Sequence, residues 1–490
     1  MRVCAAVCAL VCAAAAAVRA EDVKTITVMP YRRQEIKGWG FFPTLNLGGV
    51  LDKSRSSNNA PKSTIEDAVM SKLINDFGIT MFRQDLMVQC GNVDGSLNTD
   101  WMDKLTDALR VMIDGGVKEY MLTAWGVPEG MYYKDAASKN YIKEESEDDY
   151  CTFVVNAFKY ITDKGLPAPI GFSIMNEPQD GRHWERVTMK QYARITKKMR
   201  KALDEGGFSD VMLLGPENAG YYQYFDQMGT NYSALYDDPE FAQSLGALIT
   251  HSYYFINSGG KPTDTYRFDM NASNFPHMER WETEFSGGMS SGEGIISMEQ
   301  RSCILTTQIM TADIVWSGMN RWLYWNGFDF RQYVYPNGDI RFMDSGKLGS
   351  VQSLGYGDGV NWMKKTKGGV SLSTIWKNVP IGSVVHRLWT DDKEVKNDYN
   401  LAADLAAFER KDGTYVLVII NESNNIRKYN VNGVSGKSAS VYTVSDSTNQ
   451  MAEVYKRNVI NDSIKALEVQ PYTVNIIVTD NEDTSPPLIT

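Results

Sequence analysis

The chain has 490 residues, 22% charged and 43% hydrophobic, with a net charge of −10. That mixture excludes a disordered chain and a single small module. The 50 basic residues are scattered among 60 acidic ones, which excludes a phosphate-backbone binder with a strongly positive face.

Residues 1–20 read as a cleaved signal peptide. Arg2 starts it, Val3 to Val18 is an apolar run, and Val18-Arg19-Ala20 offers a small-residue cleavage site before Glu21. The run is short for a membrane span, and no later stretch reaches about 18 uninterrupted apolar residues. A secreted chain without a membrane span is expected. Cys4, Cys8 and Cys12 leave with the signal, and Cys90, Cys151 and Cys303 remain. Three widely spaced thiols allow at most one disulfide and do not indicate a metal cluster. Four histidines are little material for a zinc site, so neither metal nor cofactor is expected.

Val23–Met29 is strand-like and has no helix partner. From about residue 36 to 330 a short apolar strand, a polar loop and a helix with three-to-four spacing repeat. The strands are Ile36–Phe42, Ile79–Asp85, Glu119–Gly126, Gly171–Asn176, Val211–Glu217, Ala247–Tyr254, Met278–Glu284 and Arg321–Gly327. Ser63-Thr64-Ile65-Glu66 is a capping box that opens the first helix. Trp101, Leu105, Leu109 and Met112 mark the second, closed by Gly115-Gly116, and Tyr150 to Ile161 the third, stopped at Gly165. Thr188 with Gln191 caps the fourth, and Met298–Val315 is the longest. Eight alternations in about 290 residues fit a closed (β/α)8 barrel better than an open doubly wound sheet.

After about residue 385 the pattern becomes short β runs: Leu405–Glu409, Tyr415–Asn421, Arg427–Val431, Ser440–Ser445, Ile464–Gln470 and Tyr472–Thr479. Asp412-Gly413 signals a hairpin between the first two. The expected architecture is an α/β TIM barrel with a side β-sandwich built from both chain ends. A signal peptide over 1–20 is followed by a sandwich strand within 21–35, the barrel over 36–384, the sandwich over 385–480 and a tail over 481–490.

In such a barrel the working residues lie at the carboxyl ends of the strands. Read there, the sequence gives Gly38-Trp39-Gly40, Arg83-Gln84-Asp85, Thr123-Ala124-Trp125, Asn176-Glu177-Pro178, Glu217, His251-Ser252-Tyr253, Glu282-Thr283-Glu284 and Trp322, Trp325, Asn326. Carboxylates, amide and imidazole donors and flat aromatic rings together suit glycosidic bond cleavage. One carboxyl group protonates the leaving oxygen, and another attacks the anomeric carbon or activates water. Glu177 and Glu284 sit on strands four and seven, which face each other across the mouth. Alternation puts Glu282 and Glu284 on one face, and the more C-terminal reaches further into the mouth. Glu217 reads as a positioning carboxylate, and Asn176 as a sugar contact beside the acid. Arg83 either contacts substrate and a catalytic Glu or forms a plain salt bridge; His251 is either a core histidine or a substrate contact. Trp39, Trp125, Trp322 and Trp325 are either core lids or sugar platforms, with Tyr253 beside them.

These motifs resemble glycoside hydrolase family 30, relatives of glucosylceramidases, glucuronoxylanases and β-1,6-glycanases. The likeness runs from Gln34-Glu35-Ile36-Lys37-Gly38-Trp39-Gly40 through Ser173–Pro178 and Trp281–Phe285 to Met343-Asp344-Ser345-Gly346-Lys347 and Val379–Ser383. The resemblance implies a retaining hydrolase with Glu177 as acid/base and Glu284, not Glu282, as nucleophile. It also implies a polysaccharide substrate of xylan or β-1,6-linked glucan or galactan type. Two mouth segments, Gly38 to Phe42 and Trp125 to Met131, depart from the pattern common among those relatives. The expected partner is a poly- or oligosaccharide, with no nucleic acid; a monomer is compatible with this reading. Rival readings are a mannanase or cellulase of another two-glutamate barrel family, a glucosylceramidase, and a non-catalytic carbohydrate binder on a hydrolase-like barrel.

Overall fold

A computed structural model describes residues 23–43, 75–134, 140–178, 185–220, 235–253, 263–287, 296–325, 327–329, 332–334, 340–342, 354–356, 364–393, 395, 403–448 and 451–482. The signal segment, the Ser63–Glu66 capping box, Asn326 and Met343–Lys347 lie outside the described residues.

Eight parallel strands close into a barrel: Gly38–Phe41, Met81–Leu86, Glu119–Ala124, Gly171–Ser173, Met212–Leu214, Ala247–His251, Glu279–Glu284 and Arg321–Tyr324. The eighth returns to the first through Arg321↔Gly38 and Trp322↔Trp39. Helices Thr99–Asp114, Glu147–Asp163, Met189–Glu205, Met298–Ala312 and Lys367–Asn378 lie between or after them. Their ends follow the local chemistry. The Thr188 hydroxyl accepts from the Gln191 amide at 3.1 Å, capping the N-terminus. Gly116 and Gly165 take the left-handed backbone, at φ 106° and 77°, just beyond two C-termini.

The barrel interior holds a small apolar layer of Met81, Met121, Leu214, Ala247, Ile249, Trp281 and Leu323. Its amino-terminal end is closed by Arg321, which donates to Glu119 at 2.7 Å and to Glu279 at 3.3 Å and lies 4.9 Å from the Trp281 ring. Residues pointing outward, such as Phe82, Tyr120, Leu122 and Phe172, join the larger core under the helices.

The Gly38-Trp39-Gly40 motif is a packing device. A Cβ on Gly38 would lie 2.4 Å from Met81 Sδ, and one on Gly40 would lie 2.1 Å from the Met81 carbonyl oxygen. Trp39, between them, points outward and not to the mouth, which corrects its assignment as a sugar contact. Its ring is fully buried, stacks on Trp376 at 6.4 Å and meets Phe408 edge-on at 6.3 Å; its indole N–H donates to the Val379 carbonyl at 2.8 Å. Trp322 is likewise fully buried, with its N–H donated to Asp313 at 2.8 Å. The reason is the period of two: the outer face of these strands meets the helices and the sandwich. Trp39→Ala is therefore expected to destabilise the fold by about 3–5 kcal/mol while leaving KM unchanged, as checked by urea unfolding beside steady-state kinetics.

The second domain is a nine-stranded sheet, curled so that its two faces pack on different cores. In spatial order its strands are Glu453–Asn458, Ser438–Val444, Thr473–Asp480, Tyr415–Asn421, Leu405–Glu409, Val384–Thr390, Lys24–Glu35, Arg427–Asn432 and Ser463–Val469. Lys24–Glu35 lies antiparallel to Val384–Thr390 and parallel to Arg427–Asn432. Along Tyr415–Asn421, Val416, Val418 and Ile420 pack toward the barrel helices while Leu417 and Ile419 enter the sandwich core. A strand buried on both faces reads as an unbroken apolar run. Cys90, Cys151 and Cys303 are buried free thiols. Among the described residues no helix is long and apolar enough to cross a membrane.

Candidate active site

Above the apolar layer the barrel interior turns polar, and the groups come from the carboxyl ends of the strands. Arg83 stands on the second strand with no exposed surface. Its Nη1 donates to Glu284 Oε2 at 2.5 Å, its Nη2 to Asn176 Oδ1 at 2.6 Å, and its Nε to Thr123 Oγ1 at 3.1 Å; Nη2 is also 3.3 Å from Glu217 Oε1. One guanidinium thus links strands two, three, four, five and seven. Burial pulls its pKa down, but Glu217, Glu284 and Asp85 outweigh burial and raise it.

Asn176 and Glu177 follow the fourth strand. The Asn176 amide donates to the Ala124 carbonyl at 2.8 Å, and the Glu177 amide to the Glu217 carbonyl at 2.8 Å, extending the ladder past the last regular residue. Glu177 holds a left-handed backbone at φ 44°, a conformation that costs energy for a residue with a Cβ and that clusters at working sites. Its side chain is 12% exposed. His251, ending the sixth strand, places Nδ1 2.9 Å from Glu177 Oε1 and Nε2 3.4 Å from Glu217 Oε1. Tyr253 Oη donates to Glu284 Oε1 at 2.9 Å.

Glu284 does not share a face with Glu282. The sixth and seventh strands pair Thr250 with Glu282 and then His251 with Glu284, so Thr283 is an extra residue in a bulge. A bulge re-aims side chains beside active sites. Here it sends Glu284 into the mouth and Glu282 behind the strand, where it meets Ser252. The expectation of a common face is corrected, because alternation fails at an inserted residue.

The charges nearly cancel. Glu217, fully buried, is held at about 2: burial would raise it, but Arg83 and His251 lower it further. Asp85 is pushed up to about 7 by burial, with Glu284 and Glu217 repelling it and Arg83 pulling it back. His251 is raised from 6.5 to about 10; burial alone would lower it, and the Glu284 charge, the hydrogen bond to Glu177 and the nearby Glu217 carboxylate override burial. A folded-state value above the unfolded one stabilises the fold fully below about pH 6.5, and that contribution is lost as pH rises toward 10. Tm is expected to fall across this window in the native chain and to fall less in His251→Gln. Equal slopes in calorimetry across the pH series would contradict a buried imidazolium.

One oxygen of Glu177, one ring nitrogen of His251 and one oxygen of Glu284 lie within 4.8 Å of one another. The trio has the spacing of metal ligands, but both Glu284 oxygens already accept hydrogen bonds, from Arg83 and Tyr253. A divalent ion would also meet the Arg83 and His251 cations. The donor set suits proton transfer and nucleophilic attack. Beside it, Trp325 stacks between Phe42 at 4.6 Å and Trp125 at 5.1 Å, and Arg83 Cζ is 5.6 Å and 5.9 Å from the Trp325 and Trp125 rings. These rings form an aromatic wall.

The structure therefore brings together Arg83, Trp125, Asn176, Glu177, His251, Tyr253, Glu284 and Trp325, and leaves Trp39 outside. Sequence reasoning missed Phe42 as part of the wall and Asp313, which meets Ser252 and the Trp322 indole. Phe42 had one available signal, its place at the end of the first strand. Asp313 stands among apolar helix residues, which hid it.

A barrel with facing carboxyl groups at the carboxyl ends of strands four and seven defines a glycoside hydrolase, and the comparisons agree. Residues 51–318 match the family model for Cellulase (glycosyl hydrolase family 5), and residues 395–450 match the Glycosyl hydrolase family 30 beta sandwich domain. The first match takes in more than half of the chain, so the chain belongs to that glycosyl hydrolase family, with a family 30 sandwich beside its barrel. A GH30 endoxylanase from Clostridium papyrosolvens C71 is similar at a TM-score of 0.67 and 16% identity, covering 93% of this chain and 100% of its own. A conserved exported protein from Bacteroides fragilis reaches 0.69 at 15% identity, covering 93% and 100%. The endo-beta1,6-glucanase BT3312 reaches 0.64 at 15%, covering 94% of each. At these identities the likeness is one of fold. No curated protein matches the chain.

Proposed function

We propose that the protein is a retaining β-glycoside hydrolase acting on an extracellular polysaccharide, with Glu177 as acid/base and Glu284 as nucleophile. The observation that carries this reading is the carboxyl spacing. Oxygens of Glu177 and Glu284 lie within 4.8 Å, near the ~5–5.5 Å of retaining enzymes and short of the ~6.5–9.5 Å that leaves room for an inverting water.

Glu177 gives its proton to the leaving oxygen while a Glu284 oxygen attacks the anomeric carbon, forming a covalent glycosyl-enzyme. Glu177 then takes a proton from water, which attacks the same carbon and frees Glu284. Arg83 and Tyr253 hold the two Glu284 oxygens, and the His251 N–H donates to Glu177 Oε1, while the proton for the leaving group is carried on Glu177 Oε2. Trp125 and Trp325 wall the sugar site, with Asn176 beside the acid. The positive and negative groups balance before the reaction begins, so the site needs little reorganisation as charge develops.

The substrate class proposed is xylan or a β-1,6-linked glucan or galactan. It is supported by the fold shared with an endoxylanase and an endo-beta1,6-glucanase. The signal-like residues 1–20 support secretion, with the mature chain beginning at Glu21. Reducing-sugar release over xylan, β-1,6-glucan, β-1,6-galactan, mannan, cellulose and glucosylceramide tests the reading. Release from one of the first three is expected. Release from mannan or cellulose alone would move the chain to another substrate class, and calorimetric binding without any release would leave only a carbohydrate binder.

A further inference from the structure

Two residues before Glu284 the seventh strand carries another carboxyl group that the reaction scheme does not use. Glu282 is fully buried. Its Oε1 accepts from the Ser252 amide at 3.1 Å and from the Glu284 amide at 3.3 Å. Its Oε2 lies 2.9 Å from the Ser252 hydroxyl oxygen, which is also 2.9 Å from Asp313 Oδ2. Asp313 Oδ2 in turn accepts the Trp322 indole N–H at 2.8 Å. Asp313 opens the π-helical turn Asp313–Ser317, the kind of local widening that recurs at functional sites.

Proton counting decides the direction of this chain. A serine hydroxyl has one hydrogen, so it can donate to only one of two neighbouring carboxyl oxygens. The other oxygen must bring its own proton and donate to the serine. Indole is a donor only, so Asp313 Oδ2 already accepts one hydrogen bond on the oxygen that faces the serine, which favours the ionised form of Asp313 and the serine hydrogen pointing to it. The remaining proton belongs on Glu282 Oε2.

We propose that Glu282 is a neutral carboxylic acid that donates through Ser252 to Asp313, and that this chain positions Glu284. With its Oε1 it ties down the backbone amides on both sides of the bulge, Ser252 just past the sixth strand and Glu284 at the end of the seventh, and so fixes where the Glu284 carboxylate points. Glu282 is a positioning residue that does not touch the sugar. The inference rests on Glu284 being the nucleophile. The charged groups facing Glu282 are Asp313 from the π turn and His251 from the sixth strand. Burial first and then the Asp313 charge push the Glu282 carboxyl well above its usual range, against the pull of His251. Removing this tie need move Glu284 only slightly, and misplacement by about 1 Å can cost roughly 10²-fold in rate.

The test compares Glu282→Gln, Glu282→Leu and Asp313→Asn in the full chain. Gln keeps an acceptor for the two amides and an N–H for Ser252, whereas Leu keeps neither. Glu282→Leu is expected to lower kcat by about 10²-fold with KM nearly unchanged, and Glu282→Gln to restore kcat to within about threefold of native. Infrared difference spectra at neutral pH should show the carbonyl band of a protonated carboxylic acid lost in Glu282→Gln and kept in Asp313→Asn. A Gln variant as slow as the Leu variant, or one that loses only ionised carboxylate bands, overturns the proposal. If the Leu variant does not fold, Ser252→Ala serves instead, with kcat expected to fall about tenfold for a lost relay bond; native kcat there overturns the proposal as well. The infrared result does not depend on the role of Glu284. Full activity in a Glu284→Gln variant would instead remove the nucleophile assignment and leave the proton chain standing.

Discussion

Glu284→Gln is expected to lower kcat by about 10⁴-fold or more, since losing a covalent nucleophile leaves only binding and electrostatic effects. The amide is nearly the same shape, so oligosaccharide binding measured by calorimetry should persist. The hydrogen bonds at Glu284 sharpen this expectation. Arg83 and Tyr253 each hold one carboxylate oxygen, at 2.5 Å and 2.9 Å, and an amide offers only one acceptor oxygen to two donors. A modest loss of packing quality is expected, but the loss of the attacking oxygen dominates. Near-native turnover in this variant would assign the nucleophile elsewhere.

Glu177→Gln is expected to cost about 10²–10⁴-fold, the usual worth of general acid–base help, and the loss should depend on the leaving group. A natural sugar alcohol leaves poorly and needs the proton. An activated aryl leaving group does not, so its glycosylation step should be nearly native and the deficit should move to the water step, visible as a burst of aryl alcohol. A uniform loss on both substrates would mean that Glu177 acts by binding, and not as the acid. The 2.9 Å contact with His251 makes the geometry of this residue specific, because the ring fixes one of its oxygens.

The barrel was legible because its strands are short apolar runs that stop where the mouth begins, and because caps such as Thr188 and stops such as Gly165 obey local rules. Strand ends were less so. Gly171–Asn176 in the sequence reading becomes Gly171–Ser173, since the chain beyond leaves the regular ladder to present Asn176 and Glu177. The two glycines around Trp39 already held the information that was missed: they sit where the neighbouring strand approaches closely, so the residue between them must face away. The Thr283 bulge has no such signature, since an inserted residue looks like any other until its partner strand is known. Glu453–Asn458 escaped notice because it is largely exposed and has no apolar alternation. Val384–Thr390 falls at the expected start of the sandwich but is not among the strands read from the sequence, although it pairs with the N-terminal strand.

Glu177 was legible from its setting, an Asn-Glu-Pro triplet directly after an apolar strand. Arg83 was named from its place on the second strand, but not its reach. Five strands meet at one guanidinium, and only three-dimensional proximity reveals that. The same holds for Ser252 and Asp313, which are distant from each other in sequence and share no motif.

The most direct test of the carboxyl geometry is proton NMR of the sugar first released from a β-linked substrate, recorded before mutarotation scrambles the anomers. Two displacements at one carbon predict that the β-anomer appears first and the α-anomer grows in slowly afterwards. If the α-anomer appeared first, a water would have to fit between Glu177 and Glu284, and the double-displacement scheme would fail.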